Sequence, residues 1–208
     1  VRVVPYDTSA AIRELSTARV WVDNCRKGAH VKKDGQYYMQ TWHGFALKRI
    51  ERDVADKLNT PENAAYAEYA KRDSAQIDAI ISNSTFMTEI YQKSFWYHGA
   101  VLEYGSARND ILVHPPADAK HQVQQALHLP NDCQIIMYAP TFRADHSLDA
   151  YQLDYQAVCR ACAQRFGGNW VMLVRLHPNV MKLAKDLKFD NQTTFDATSV
   201  DDMQLLLA

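Results

Sequence analysis

The chain has 208 residues, 47% of them hydrophobic and 23% charged, with 23 Lys and Arg set against 24 Asp and Glu. That balance excludes a disordered chain, which needs low hydrophobicity and high net charge, and it gives no basic field for tracking nucleic acid. No run approaches the ~18 consecutive apolar residues of a membrane-spanning helix.

Strand-like and helix-like runs alternate from the start. Residues 1–4 (VRVV) read as a strand, and residues 18–23 (ARVWVD) as a short buried one. Residues 36–42 (QYYMQTW) form an aromatic strand that stops at His43-Gly44. The Ala-rich stretch 45–76 favours helix, with Pro61 at a helix start after Thr60. Residues 78–82 (DAIIS) are the next strand, Thr85 caps a helix reaching Phe95, and residues 101–104 are a strand ended by Gly105. Pro115-Pro116 then interrupts the pattern, because paired prolines deny donors to a sheet or a helix interior. Beyond it come a helix at 118–127, a strand at 134–138, a helix at 151–166 and a Gly167-Gly168 turn. A buried strand at 170–176, a strand near 193–195 and a terminal helix at 201–208 complete the chain. Short strands alternating with helices predict an α/β fold with parallel sheets. The proline pair predicts two lobes, 1–115 and 116–208. Residue 1 is Val, and the last helix stops on Leu205-Leu206-Leu207-Ala208 without a C-terminal signal, so both lobes are expected to be incomplete pieces of a longer protein.

Cys25, Cys133, Cys159 and Cys162 are the cysteines. Cys159 and Cys162 form a C-x-x-C inside a helical stretch, with no second pair and no H-x3-H to complete a zinc site. Thiols on a helix face are expected, with no metal and no cofactor.

In open α/β sheets ligands bind beyond the carboxyl ends of the strands, and polar residues cluster at four such ends. His43 precedes Gly44, which permits a tight turn and close backbone approach; its imidazole could take a proton from a hydroxyl, or it could be a turn histidine bonded to backbone. Lys48 and Arg49 could meet phosphate, or form a solvated helix face with Asp53 at i,i+4. Arg108 sits in a Gly-led loop beside Asp110, which could simply hold it. Arg143 follows Pro140-Thr141 with no carboxylate before Asp145. His177-Pro178 closes the strand that carries Arg175. Two histidines and several arginines at strand ends point to an anionic, phosphate-bearing ligand. Neither G-x-x-x-x-G-K-[ST], G-x-G-x-x-G nor Asp-x-Asp occurs, so cationic side chains and helix N-termini would have to hold it.

QTWHG with Leu47-Lys48, SNSTFMTEIYQKSF, GSARNDIL, MYAPTFR and LVRLHP, in that order, resemble the CDP-glycerol glycerophosphotransferases, the teichoic acid polymerases and primases of Gram-positive bacteria. The resemblance implies a GT-B-like fold, two Rossmann-like lobes with parallel sheets and an inter-lobe cleft. It implies transfer of glycerol phosphate from CDP-glycerol or a related CDP-polyol to a teichoic acid or lipid-linked acceptor, releasing CMP. His43 matches the histidine that acts as general base; Arg143 and His177 match residues holding the donor pyrophosphate. The expected site is thus His43 and His177 as catalytic residues, with Arg143, Thr141, Arg175, Arg108, Lys48 and Gly44 binding donor or phosphate. The implied place of work is the cytoplasmic face of the cell membrane, as a peripheral protein. Phe45-Ala46, Ser106-Ala107 and Phe142 depart from the family's usual Thr-Pro, Tyr-Pro and Trp. A nucleotide-sugar glycosyltransferase or epimerase of the same fold, and a non-catalytic nucleotide-binding module, are the other readings.

Overall fold

Among the described residues every strand pair is parallel, and each pair is joined by the long crossover that parallel strands need rather than by a tight turn. The computed structural model describes residues 2–27, 30–57, 60–141, 143 and 147–208. Val1, Phe142 and Asp145, each part of an expectation above, lie outside them. The chain divides into two compact units, Val1–Ala107 and Arg108–Ala208.

The first unit runs α1 (Ser9–Thr17), β1 (Val20–Asp23), β2 (Tyr37–Gln40), α2 (Arg52–Ala55), α3 (Pro61–Ser74), β3 (Ala79–Ser82), α4 (Thr85–Ser94) and β4 (Ala100–Glu103). Its sheet has the order β1-β2-β3-β4. Trp21, Tyr38, Ile80, Met87, Tyr91, Phe95 and Tyr97 form the core. Several expectations need correction. Residues 2–5 are irregular rather than a strand, and α1, capped by the Thr8 hydroxyl accepting from the Ala11 N–H, was not foreseen. The strand at 18–23 is an edge rather than a buried one: Val20 and Val22 are 55% and 63% exposed and Trp21 alone is buried. The stretch 45–76 is not one helix, since residues up to 50 are irregular ahead of α2. Ser84, not Thr85, caps α4, its hydroxyl accepting from the Met87 N–H at 3.3 Å. Thr60 and Pro61 start α3 as read.

The second unit runs α5 (Asp110–Val113), α6 (Ala119–Leu127), β5 (Gln134–Tyr138), α7 (Tyr155–Phe166), β6 (Trp170–Val174), β7 (Thr194–Asp196) and α8 (Met203–Leu207), with sheet order β5-β6-β7. The unbroken apolar run of β6 is buried on both faces. Val171 and Leu173 pack with Val123, Leu129 and Phe195, while Met172 and Val174 pack with Tyr151, Cys159 and Val180. Cys159 is therefore a core thiol on α7. The expected boundary at residue 115 falls later than the division at Ala107, because α5 packs against α8 and so goes with the second unit. The helix read from 151 starts at Tyr155, after a separate 3₁₀ turn at Asp149–Tyr151. Gly167 and Gly168 take φ of +73° and +78°, a conformation that favours glycine, and a Cβ at Gly168 would meet the Gln134 amide at 2.8 Å.

Asp190 sets the entry to β7. Its Oδ1 accepts from the N–H groups of Gln192, Thr193 and Thr194 at 3.0, 2.8 and 2.7 Å, and its Oδ2 from the Gln156 amide on α7 at 3.0 Å. Desolvation would raise this carboxyl, but those donors outweigh it and hold the group well below the usual carboxylate range. An acid depressed in the folded state contributes stability that is complete above its unfolded pKa and lost as pH falls through the folded one. Melting temperature should therefore fall more steeply in wild type than in Asp190→Asn as pH drops from about 5 to about 3. Parallel acid slopes in a thermal-melt series would refute this.

Candidate functional site

In the first unit the carboxyl end of β2 is shaped by a buried amide. Gln40 donates through Nε2 to the Cys25 carbonyl and the Tyr38 hydroxyl, both at 3.0 Å, and its Oε1 accepts the Trp42 N–H at 2.8 Å. Trp42 takes φ of +53°, a left-handed conformation that a bulky residue adopts only when its surroundings impose it. His43 follows on the surface, its ring stacked on the Trp42 ring at 4.3 Å between centroids and 25° between planes. Gly44 is not the strained position: its φ lies outside the left-handed region, and an added Cβ would meet nothing within 4 Å. Close backbone approach at that glycine is therefore not required by the turn.

Beneath Trp42 lies a buried ionic cluster. The Arg26 side chain is 5% exposed, and those of Glu51 and Asp73 are 3% and 0%. Arg26 Nη2 and Nε donate to Glu51 Oε2 at 2.7 and 3.2 Å. Its Nη1 donates to Asp73 Oδ2 at 3.0 Å and to the Ala70 carbonyl and Ser74 hydroxyl at 3.1 Å. The guanidinium carbon lies 5.8 Å from the Trp42 ring centroid and 5.4 Å from that of Phe95, within cation–π range of both. Desolvation would lower the Arg26 pKa, but the bond and charge of Glu51, with the charge of Asp73, raise it. Burial pushes the Asp73 carboxyl up, against the Lys27 N–H and Arg26. Tyr66 donates to Glu51 Oε1 at 2.6 Å; burial, then that bond, push its phenol up to about 12, so it stays a donor.

A pocket of about 380 Å³ opens beside this cluster, with Trp42, His43, Arg49, Glu51, Asn63 and Tyr66 among its walls. Lys48 and Arg49 are exposed in the irregular segment before α2, not on a helix. Arg52 makes the i,i+4 pair, with Asp56 at 3.4 Å, that was expected of Arg49 and Asp53. Phe45 stacks on Phe86 at 5.1 Å, and the Ala46 N–H meets Met87 Sδ at 3.3 Å, which ties the loop to α4.

In the second unit one hydroxyl joins two strand tips. Tyr151 donates to the Pro140 carbonyl at 3.2 Å, just past β5, and accepts the His177 N–H at 3.0 Å, just past β6. Thr141 and Arg143 follow Pro140, with Arg143 Nη1 donating to the Thr141 carbonyl at 3.0 Å. His177 Nδ1 accepts the Asn179 N–H at 3.2 Å, which makes the neutral ring an Nε2–H donor. Arg175 instead donates through Nη1 to the carbonyls of Ala197 and Val200, tying β6 to the loop after β7. Arg108 is exposed at the head of this unit, and no carboxylate among the described residues, Asp110 included, lies within ion-pair distance.

Sequence reasoning placed His43, Thr141, Arg143 and His177 at strand ends but missed Arg26, Glu51, Asp73, Tyr66 and Tyr151. One signal was there. Asp73 continues the buried stripe of Ala67 and Ala70 along α3, and a carboxylate on an apolar helix face needs a cation.

All 208 residues match the family described as CDP-Glycerol:Poly(glycerophosphate) glycerophosphotransferase. The chain is 32% identical over 198 residues to a teichoic acid poly(glycerol phosphate) polymerase of Staphylococcus epidermidis, an alignment covering 92% of this chain and 27% of that protein. Among solved structures it is similar to a variant of the wall teichoic acid polymerase TagF, with a TM-score of 0.79 and 29% identity over 98% of this chain and 51% of that one. The same variant soaked with CDPG gives a TM-score of 0.76 at 30% identity, covering 98% and 50%. The chain thus spans about half of the solved relatives and about a quarter of the polymerase.

Tyr151→Phe removes the hydroxyl and leaves the His177 N–H without its acceptor. The second unit should lose about 1–3 kcal/mol in denaturant unfolding with an unchanged m-value. A loss confined to a few tenths of that would show that the hydroxyl does not hold the two tips.

Proposed function

The chain belongs to the CDP-glycerol:poly(glycerophosphate) glycerophosphotransferase family, of GT-B-like fold, and on that premise we propose that it transfers glycerol phosphate from CDP-glycerol to a teichoic acid or lipid-linked acceptor. The observation that carries this reading is His43. Its ring stands on Trp42 at the mouth of a pocket, beyond the carboxyl end of a parallel strand, where a hydroxyl-bearing acceptor can reach it.

His43 takes the proton of the acceptor hydroxyl as its oxygen attacks the glycerol-bearing phosphorus of the donor. The P–O bond to the cytidylyl phosphate breaks, and CMP leaves with the electron pair. Arg143, as an always-charged planar donor, and the Nε2–H of His177 meet the pyrophosphate oxygens and stabilise charge on the leaving phosphate. Thr141 and Arg108 offer further donors. Lys48 and Arg49 draw the anionic acceptor to the first unit. Arg175 serves the same site by fixing the loop after β7. No helix among the described residues is long and apolar enough to cross a membrane; a lipid-linked acceptor would bring the protein to the inner membrane face as a peripheral enzyme.

In the full-length protein, His43→Ala should lower kcat by ~10²–10⁴-fold with little change in CDP-glycerol affinity. Wild-type turnover in that variant would remove His43 from the mechanism. With CDP-glycerol carrying label in the glycerol or in the cytidine, only the glycerol label should reach the acceptor. Transfer of neither would leave a binding module.

Arg143→Ala and His177→Ala should each weaken CDP-glycerol binding by calorimetry, Arg143→Ala by about 1.5–3 kcal/mol. The double variant should lose less than the sum if both contact one diphosphate. Unchanged affinity in both would overturn the donor assignment.

A further inference from the structure

The buried cluster under Trp42 has no part in the chemistry just described, yet its geometry leads directly to His43. Arg26 lies between four segments of the first unit. Glu51 precedes α2, Ala70, Asp73 and Ser74 belong to α3, Phe95 ends α4, and Trp42 follows β2. Its guanidinium has hydrogen-bond acceptors on every nitrogen and aromatic rings in cation–π range. Trp42 is thus fixed twice: through its backbone by Gln40, and through its ring by Arg26 and by Phe95 at 4.8 Å, edge on. His43 stacks on that ring.

We propose that Arg26, locked by Glu51 and Asp73, is a positioning residue for His43, acting through the Trp42 ring. This rests on the reading of His43 as the base. A surface imidazole samples many rotamers, and a fixed indole beneath it restricts the ring to orientations parallel to that surface. The arrangement keeps the cation out of contact with substrate while its rigidity is passed to a residue at the surface. Arg suits the place better than Lys, since only a planar fork reaches two carboxylates and lies against rings at once.

Two variants test it. Arg26→Met with Glu51→Gln and Asp73→Asn removes all three buried charges together, so none is stranded. Arg26→Lys keeps the charge and loses the fork. The first readout is the ring proton resonances of His43, assigned by His43→Gln. In wild type the indole should shift them upfield. That shift should collapse in the triple variant and shrink in Arg26→Lys, with melting curves confirming that each is folded. The second readout is transfer by the full-length protein, where kcat should fall about 10²-fold in the triple variant while the KM for CDP-glycerol stays the same. A purely structural role would lower melting temperature and leave the His43 shift of folded molecules intact, and that result overturns the proposal. If the triple variant does not fold, an unchanged shift in Arg26→Lys overturns it equally. Full turnover by His43→Gln would sink the base assignment instead, and the ring shift would then decide the positioning claim by itself.

Discussion

A single buried guanidinium organises the first unit. Water would solvate Arg26 far better than hydrocarbon, so its burial is tolerable only because Glu51 and Asp73 are both in place. The demand runs in both directions. Each carboxylate is nearly or fully buried and relies on the same cation, with Tyr66 and the Lys27 N–H completing their shells. The segments that donate these groups therefore have to arrive together, and the loop after β2 is built on the result. The left-handed backbone at Trp42 costs about 1–3 kcal/mol, which the bond its N–H donates to Gln40 and the contacts of the indole offset.

The second unit solves a similar problem with neutral groups. Its sheet is sealed on both faces by alternating β6 side chains, and the tips of β5 and β6 are joined by the Tyr151 hydroxyl instead of an ion pair. A phenol anchored in the core needs less desolvation than a charge, so the two tips are joined without a cation between them. Arg175 illustrates the division: with its Nη1 committed to backbone carbonyls, it braces the rim on which His177 stands.

The strands were legible where packing is local. The apolar core of β6 can be read directly, because a strand buried on both faces writes itself as an unbroken apolar run, and the half-buried edge strand Gln134–Tyr138 is marked by its own Ile135-Ile136-Met137. Thr60-Pro61 announced α3 by cap chemistry. The edge strand β1 was misjudged because Val20 and Val22 look like core residues in sequence and face outward in space. The candidate site was legible as a set of strand-end polar residues, and the family resemblance implied roles for them. What supports them was not. Arg26 and Asp73 are 47 residues apart, and Tyr151 and His177 are 26 apart. Nothing in local spacing couples such pairs. Gly44 reads as the flexible residue of the loop, but the unusual dihedral belongs to the bulky Trp42, two residues before it.

The parallel pairing of the strands has a consequence for how the chain reaches this state. A hairpin can zip from its turn, whereas Val20 can meet Tyr37, or Met39 meet Ala79, only after the intervening segment has looped back. Contacts of that kind make folding slow, and they leave strand edges unpaired while the search proceeds. Burying Arg26 or Asp73 without its partner would be costly, so a compact shape that covers enough apolar surface but brings the wrong helix to the sheet lies higher in free energy than the native packing.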